Sequence, residues 1–168
     1  MDLLAYEPGE MYFTEPLTPE VEALLHKASE TYGDPIAEAH LLEAEHLAPE
    51  HLTVLVALYR YHYYRHQHAQ ALEVAIRVKK IVARRLNFAS DWRDLGLPDV
   101  QRAAAHAAEL VRFYLHALKG SGYLLLRLDD VERGLERLDK VAELDPKDRI
   151  GAAALADVTR QALQTDLT

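Results

Sequence analysis

Two stretches, AEAHLLEAEHLAP at 37–49 and GLERLDKVAELDP at 134–146, follow one pattern. A small residue opens each (Ala37, Gly134). A leucine follows four positions on (Leu41, Leu138), Ala44 or Val141 seven on, and a proline twelve on (Pro49, Pro146). Ala71, Ala75 and Val78 keep the same offsets 34 residues after Ala37, but Ala83 stands where the others have proline. Offsets of four and seven put side chains on one face of a helix. The small residue lets a second helix approach closely, and the proline stops the helix before the next pair begins. Self-similarity at this period marks stacked helical hairpins.

Outward from these stretches the 3.6-residue rhythm holds. Thr18-Pro19-Glu20 is a helix start: a hydroxyl cap, a proline in the first turn, then acids at the positive dipole end. Val21, Leu24, Leu25 and Ala28 give its apolar stripe, and Tyr32-Gly33 ends it. Asp34-Pro35 opens the next helix, a third is expected over 50–65, and a fourth over 68–86. NFASDWRDLGLP, 87–98, reads as a loop with a short turn around Trp92. Helix resumes at Asp99 and extends to Leu128, with one or two pieces both open. Asp129-Asp130 caps a helix to Leu144, and Asp145-Pro146 leads into a last one. The β-branched residues sit at helical spacing, so no strand is expected.

This unit resembles the tetratricopeptide repeat. The resemblance divides the chain into an irregular arm, 1–17, and one helical domain, 18–168. Repeat-like units cover 18–51, 52–85 and 115–148, with an insertion at 86–114 and a capping helix at 149–165, which a solenoid needs. It implies an all-α right-handed superhelix of antiparallel helix pairs. Only the third unit carries the family's first-helix glycine, Gly122. The second lacks the closing proline, so its second helix should overrun. The segment Arg112 to Leu128 also resembles small repeat proteins encoded among bacterial nitrogen-fixation genes.

In the repeat family the first helix of each pair lines a groove that holds a peptide. The resemblance places Glu22, His26 and Glu30 there from the first unit, and Val56, Arg60, Tyr63 and Tyr64 from the second. From the third it places His116, Lys119, Tyr123 and Arg127. Lys119, Tyr123 and Arg127 share one helix face by spacing alone. Arg forks onto carboxylates and Tyr adds rigid contact area, so this end would suit an acidic segment or a C-terminal carboxylate. The family's clamp asparagines are absent from these positions. The expected function is therefore an adaptor, scaffold or chaperone-like module that binds a partner segment without a cofactor.

Composition narrows the alternatives. The 168 residues are 49 % apolar and 27 % charged, ordinary for a folded domain. A net charge of −8 without a long basic run argues against a nucleic-acid partner. With no cysteine there is no disulfide, thiol nucleophile or thiolate metal site. The start, MDLLAYEPGEMYFTEP, is acidic with two prolines and is unlike a signal peptide, and no apolar run suits a membrane span. A cytoplasmic location is expected. The arm's Tyr6, Met11, Tyr12 and Phe13 are expected to pack on the body.

Other constellations carry bland readings. His62 and His66 in YRYHYYRHQH (59–68) stand at i, i+4, a spacing that can hold a transition metal, but no third ligand accompanies them. A metal-binding protein using this pair is the second functional reading. Glu43 and His46 form one Glu-x-x-His without the second copy a di-iron bundle uses. Ser29, Ser90 and Ser121 lie in no nucleophile context, and no catalytic residue is assigned. Phe88 and Trp92 are expected to pin their loop to the body. Exposed, Trp92 or the terminal helices would instead join a homo-oligomer, the third reading.

Overall fold

The computed structural model describes residues 15–165. Among them are seven helices and no strand. They are α1 (Pro19–Glu30), α2 (Ile36–Leu47), α3 (Leu52–Tyr64), α4 (His68–Arg85), α5 (Leu97–Arg127), α6 (Val131–Leu144) and α7 (Ala152–Thr165). A single 3-10 turn, Trp92–Asp94, precedes α5. The chain is all-α. No helix among the described residues is long and apolar enough to cross a membrane.

The helix ends follow local chemistry. The Thr18 hydroxyl accepts from the Val21 N–H at 3.4 Å, with Pro19 in the first turn of α1. Asp34 accepts from Ile36 N–H at 3.0 Å to start α2, and Asp130 from Arg133 N–H at 3.3 Å to start α6. Asp148 takes the N–H groups of Ala153 and Ala154 at 2.9 and 3.1 Å, capping α7. Lacking a closing proline, α4 does overrun, reaching Arg85 before Leu86 and Asn87 turn the chain.

Every substantial helix pairing is between consecutive helices. Further contacts join alternate ones. After α1, Tyr32 meets Tyr61 of α3 edge-on at 5.8 Å, and Tyr63 of α3 lies 6.4 Å from Tyr123 of α5. On the other side Arg77 of α4 pairs with Glu45 of α2, and Arg84 with Glu50 at 2.6 Å. Helix α3 lies between neighbours and buries residues all round, from Leu52 and Val54 to Tyr59, Tyr61 and His62. Most of the core is one cluster running from Ala28 to Ala156, with Val21, Leu24, Ala44 and Val54 in a second at the α1–α2 end.

The expected insertion is only partly irregular. Residues 86–96 form the loop, and from Leu97 the chain is already in α5. Ala107 has non-helical angles (φ −147°, ψ 52°), so α5 is two helical pieces joined at a kink. That break lets residues 97–106 and the repeat-like piece run in different directions. Phe88 packs edge-on against Tyr114 at 5.1 Å, and Trp92 is buried, so both pin the loop as expected. Tyr6, Met11, Tyr12 and Phe13 lie outside the described residues.

Candidate functional site

The proposed groove residues divide into four groups. Glu22 and His26 are exposed on α1, where His26 lies 3.5 Å from Glu30. Val56 is a correction: it is 4 % exposed and belongs to the core, because α3 is covered on both sides. His116 and Lys119 are half-buried by the turn that leads into α7. There the Lys119 amine gives one of its three N–H donors to the Ile150 carbonyl at 2.5 Å. Burial pushes the His116 imidazole down to about 4, with the Lys119 and Arg112 charges adding to the shift, so it is neutral at pH 7.

The rest converge. Tyr59 and Tyr63 stack at 5.8 Å, Tyr63 meets Tyr64 edge-on at 5.3 Å, and Tyr123 continues the row from α5. The Arg60 guanidinium lies 6.0 Å from the Tyr64 ring centre, while its backbone carbonyl accepts from the Tyr32 hydroxyl at 3.1 Å. Arg127 is exposed at the end of α5. Its charge, after burial, helps push down the pKa of His68 at the start of α4. An aromatic row thus links Arg60 to the helix end that carries Arg127.

A feature absent from the sequence reading adjoins this row. Between α1 and α3 is a cleft of about 360 Å³, floored by Leu25, Ala28, Leu41 and Ala57. Tyr32, Arg60 and Tyr64 form part of its lining. Tyr32 is 39 % and Tyr64 49 % exposed, so aromatic faces and an apolar floor stay open to solvent together. Leu25 and Ala28 read as core residues by periodicity. Only the splay of α1 from α3 leaves space above them.

The histidine pair is separated. His62 is buried, and its Nδ1 pairs with the Gln67 amide oxygen at 2.7 Å. Helix α3 ends at Tyr64, and His66 lies beyond it in a left-handed turn (φ 58°), exposed. The two imidazoles therefore do not share a helix face. No group of three or more potential metal ligands converges among the described residues.

No family model and no solved structure matches this chain. It is similar to the uncharacterized 19.8 kDa protein in the nifW 5′ region of Azotobacter chroococcum mcd 1. The two are 48 % identical over 158 residues, which span 94 % of this chain and 88 % of that protein. Identity of that extent over nearly both lengths places the chain in the same family as the Azotobacter protein.

Proposed function

We propose that this protein is a cytoplasmic interaction module that binds a segment of a partner protein, with repeat-type helical hairpins as its scaffold. The observation that carries the reading is the α1–α3 cleft: an apolar floor with Arg60 and Tyr64 in its lining, continuous with the Tyr63–Tyr123 row. An apolar floor next to a guanidinium suits an aliphatic or aromatic side chain beside a carboxylate, and Tyr and Arg are the usual anchors of such contacts. The scaffold reading is supported by the close approach of Gly122 to Gly134 across the α5–α6 turn. It is also supported by two ion pairs of α4, one with Glu45 of α2 and one with Glu50 in the turn after it, at separations of 32 and 34 residues.

The relative's position in the nifW 5′ region makes the nifW product the first partner to test. Synthetic peptides tiling that protein, each with a free or amidated C-terminus, would be titrated by calorimetry. Peptides that bind should weaken by about tenfold or more against an Arg60→Ala/Tyr64→Ala variant, equivalent to at least about 1.4 kcal/mol. Amidation of the terminal carboxylate should weaken them further. A variant with native helix content and undiminished peptide affinity would remove the cleft from consideration.

A further inference from the structure

Trp92, the single tryptophan of the chain, is 6 % exposed and has three cations around its ring. The guanidinium of Arg93 lies 4.4 Å from the ring centre, that of Arg137 5.3 Å, and the Lys79 amine 5.6 Å. Lys79 comes from α4 and Arg137 from α6, so the loop tryptophan bridges the two helices. Among the described residues, only Arg93 of the three has carboxylate partners, Glu136 at 2.7 and 3.2 Å and Asp91 at 3.4 Å.

The other two cations are nearly buried. Lys79 is 7 % exposed and has no hydrogen bond or ion pair among the described residues. Arg137 is 6 % exposed, donates to the Arg133 carbonyl at 3.0 Å, and keeps a buried Nε with no acceptor among the described residues. Among the described residues, the three cations on the ring thus meet two paired carboxylates, both on Arg93, in a chain of net −8. The face of an indole offsets only part of the cost of burying an ammonium or guanidinium, and an unused N–H adds to it. A small anion would satisfy both needs.

We propose that Lys79 and Arg137, beside Trp92, bind a small oxyanion of the sulfate or phosphate type. The buried Arg137 Nε would donate to one oxygen and the Lys79 ammonium to another. Asp91, Arg93 and Glu136, beside the buried cations, are exposed. The site is separate from the α1–α3 cleft and stands or falls independently of it. Burial pushes the Lys79 amine down to about 8, with Arg137, Arg93 and Lys80 adding and Asp91 opposing. At pH 7 the amine is still mostly charged, so anion affinity should fall as pH rises past that value.

The lone tryptophan reports directly on this. Sulfate, whose charge does not change between pH 7 and 9, would be titrated against chloride at equal ionic strength while indole emission is followed. The expected result is a saturable change with sulfate and with phosphate at pH 7, absent with chloride. Sulfate binding should be about tenfold weaker at pH 9, as the amine loses its proton. Lys79→Met and Arg137→Met should each abolish the response. A sulfate response no larger than that of chloride, or an equal saturable response in both variants, overturns the proposal. Where a variant loses its cooperative melt, Arg137→Lys, which keeps the charge but removes the Nε donor, decides: undiminished sulfate affinity in a folded Arg137→Lys overturns it.

Discussion

Gly122 on α5 and Gly134 on α6 face each other so closely that a Cβ on either would lie 3.0 Å from the other's carbonyl oxygen. On Gly122 it would also stand 3.2 Å from the Arg137 Cβ and the Leu138 Cγ. On Gly134 it would stand 2.6 Å from Leu126 Cδ2. Alanine normally gains about 1 kcal/mol over glycine inside a helix. Overpacking costs roughly 1–3 kcal/mol, and here part of the obstacle is backbone. Gly122→Ala and Gly134→Ala should therefore each be net destabilising, by about 1 kcal/mol. Gly33→Ala meets nothing within 4 Å and should be neutral or slightly stabilising. Urea unfolding of the three variants separates close approach from helix propensity.

Trp92 holds α4 to α6 through the loop. Trp92→Ala should destabilise by about 3–5 kcal/mol, the range for truncating a large buried aromatic. The loss should exceed that of Arg93→Ala, because the exposed Arg93–Glu136 pair contributes less than about 1 kcal/mol. Chemical denaturation of both variants checks the order.

His116 should make the fold acid-sensitive. Its folded pKa of about 4 lies below the ordinary imidazole value of 6.5. Between those values the unfolded chain binds the proton and the folded chain does not, so stability is lost as pH falls from about 6.5 towards 4. Allowing for partial exposure, the loss is about 2 kcal/mol. His116→Gln should flatten this part of the stability–pH curve, as measured by urea midpoints from pH 7 to 4.

His62 and His66 should respond oppositely to substitution. His62→Ala removes a buried ring and leaves the Gln67 amide without its partner at 2.7 Å, so a loss of about 2 kcal/mol is expected. His66→Gly should be neutral or stabilising by up to about 1 kcal/mol, because glycine adopts the φ of 58° without strain. Thermal melts distinguish this from a joint metal site, in which both substitutions would weaken the same zinc-dependent rise in melting temperature.

The helices themselves were legible in the sequence. Thr18, Asp130 and the absent proline at Ala83 act through the nearest turns of backbone, so local chemistry alone set where α1 and α6 start and why α4 overruns. Core positions such as Ala37, Leu41, Leu138 and Val141 followed from a period that one helix face imposes. Which exposed-looking positions stay open was decided only by tertiary packing. Val56 is buried because α3 has neighbours on both sides, and Lys119 is drawn to a carbonyl 31 residues away. The α1–α3 cleft and the gathering of Lys79, Arg93 and Arg137 around Trp92 join residues from separate elements. Periodicity reports which way a side chain leaves its own helix. It carries no information about the distance to the next one, and both candidate sites depend on that distance.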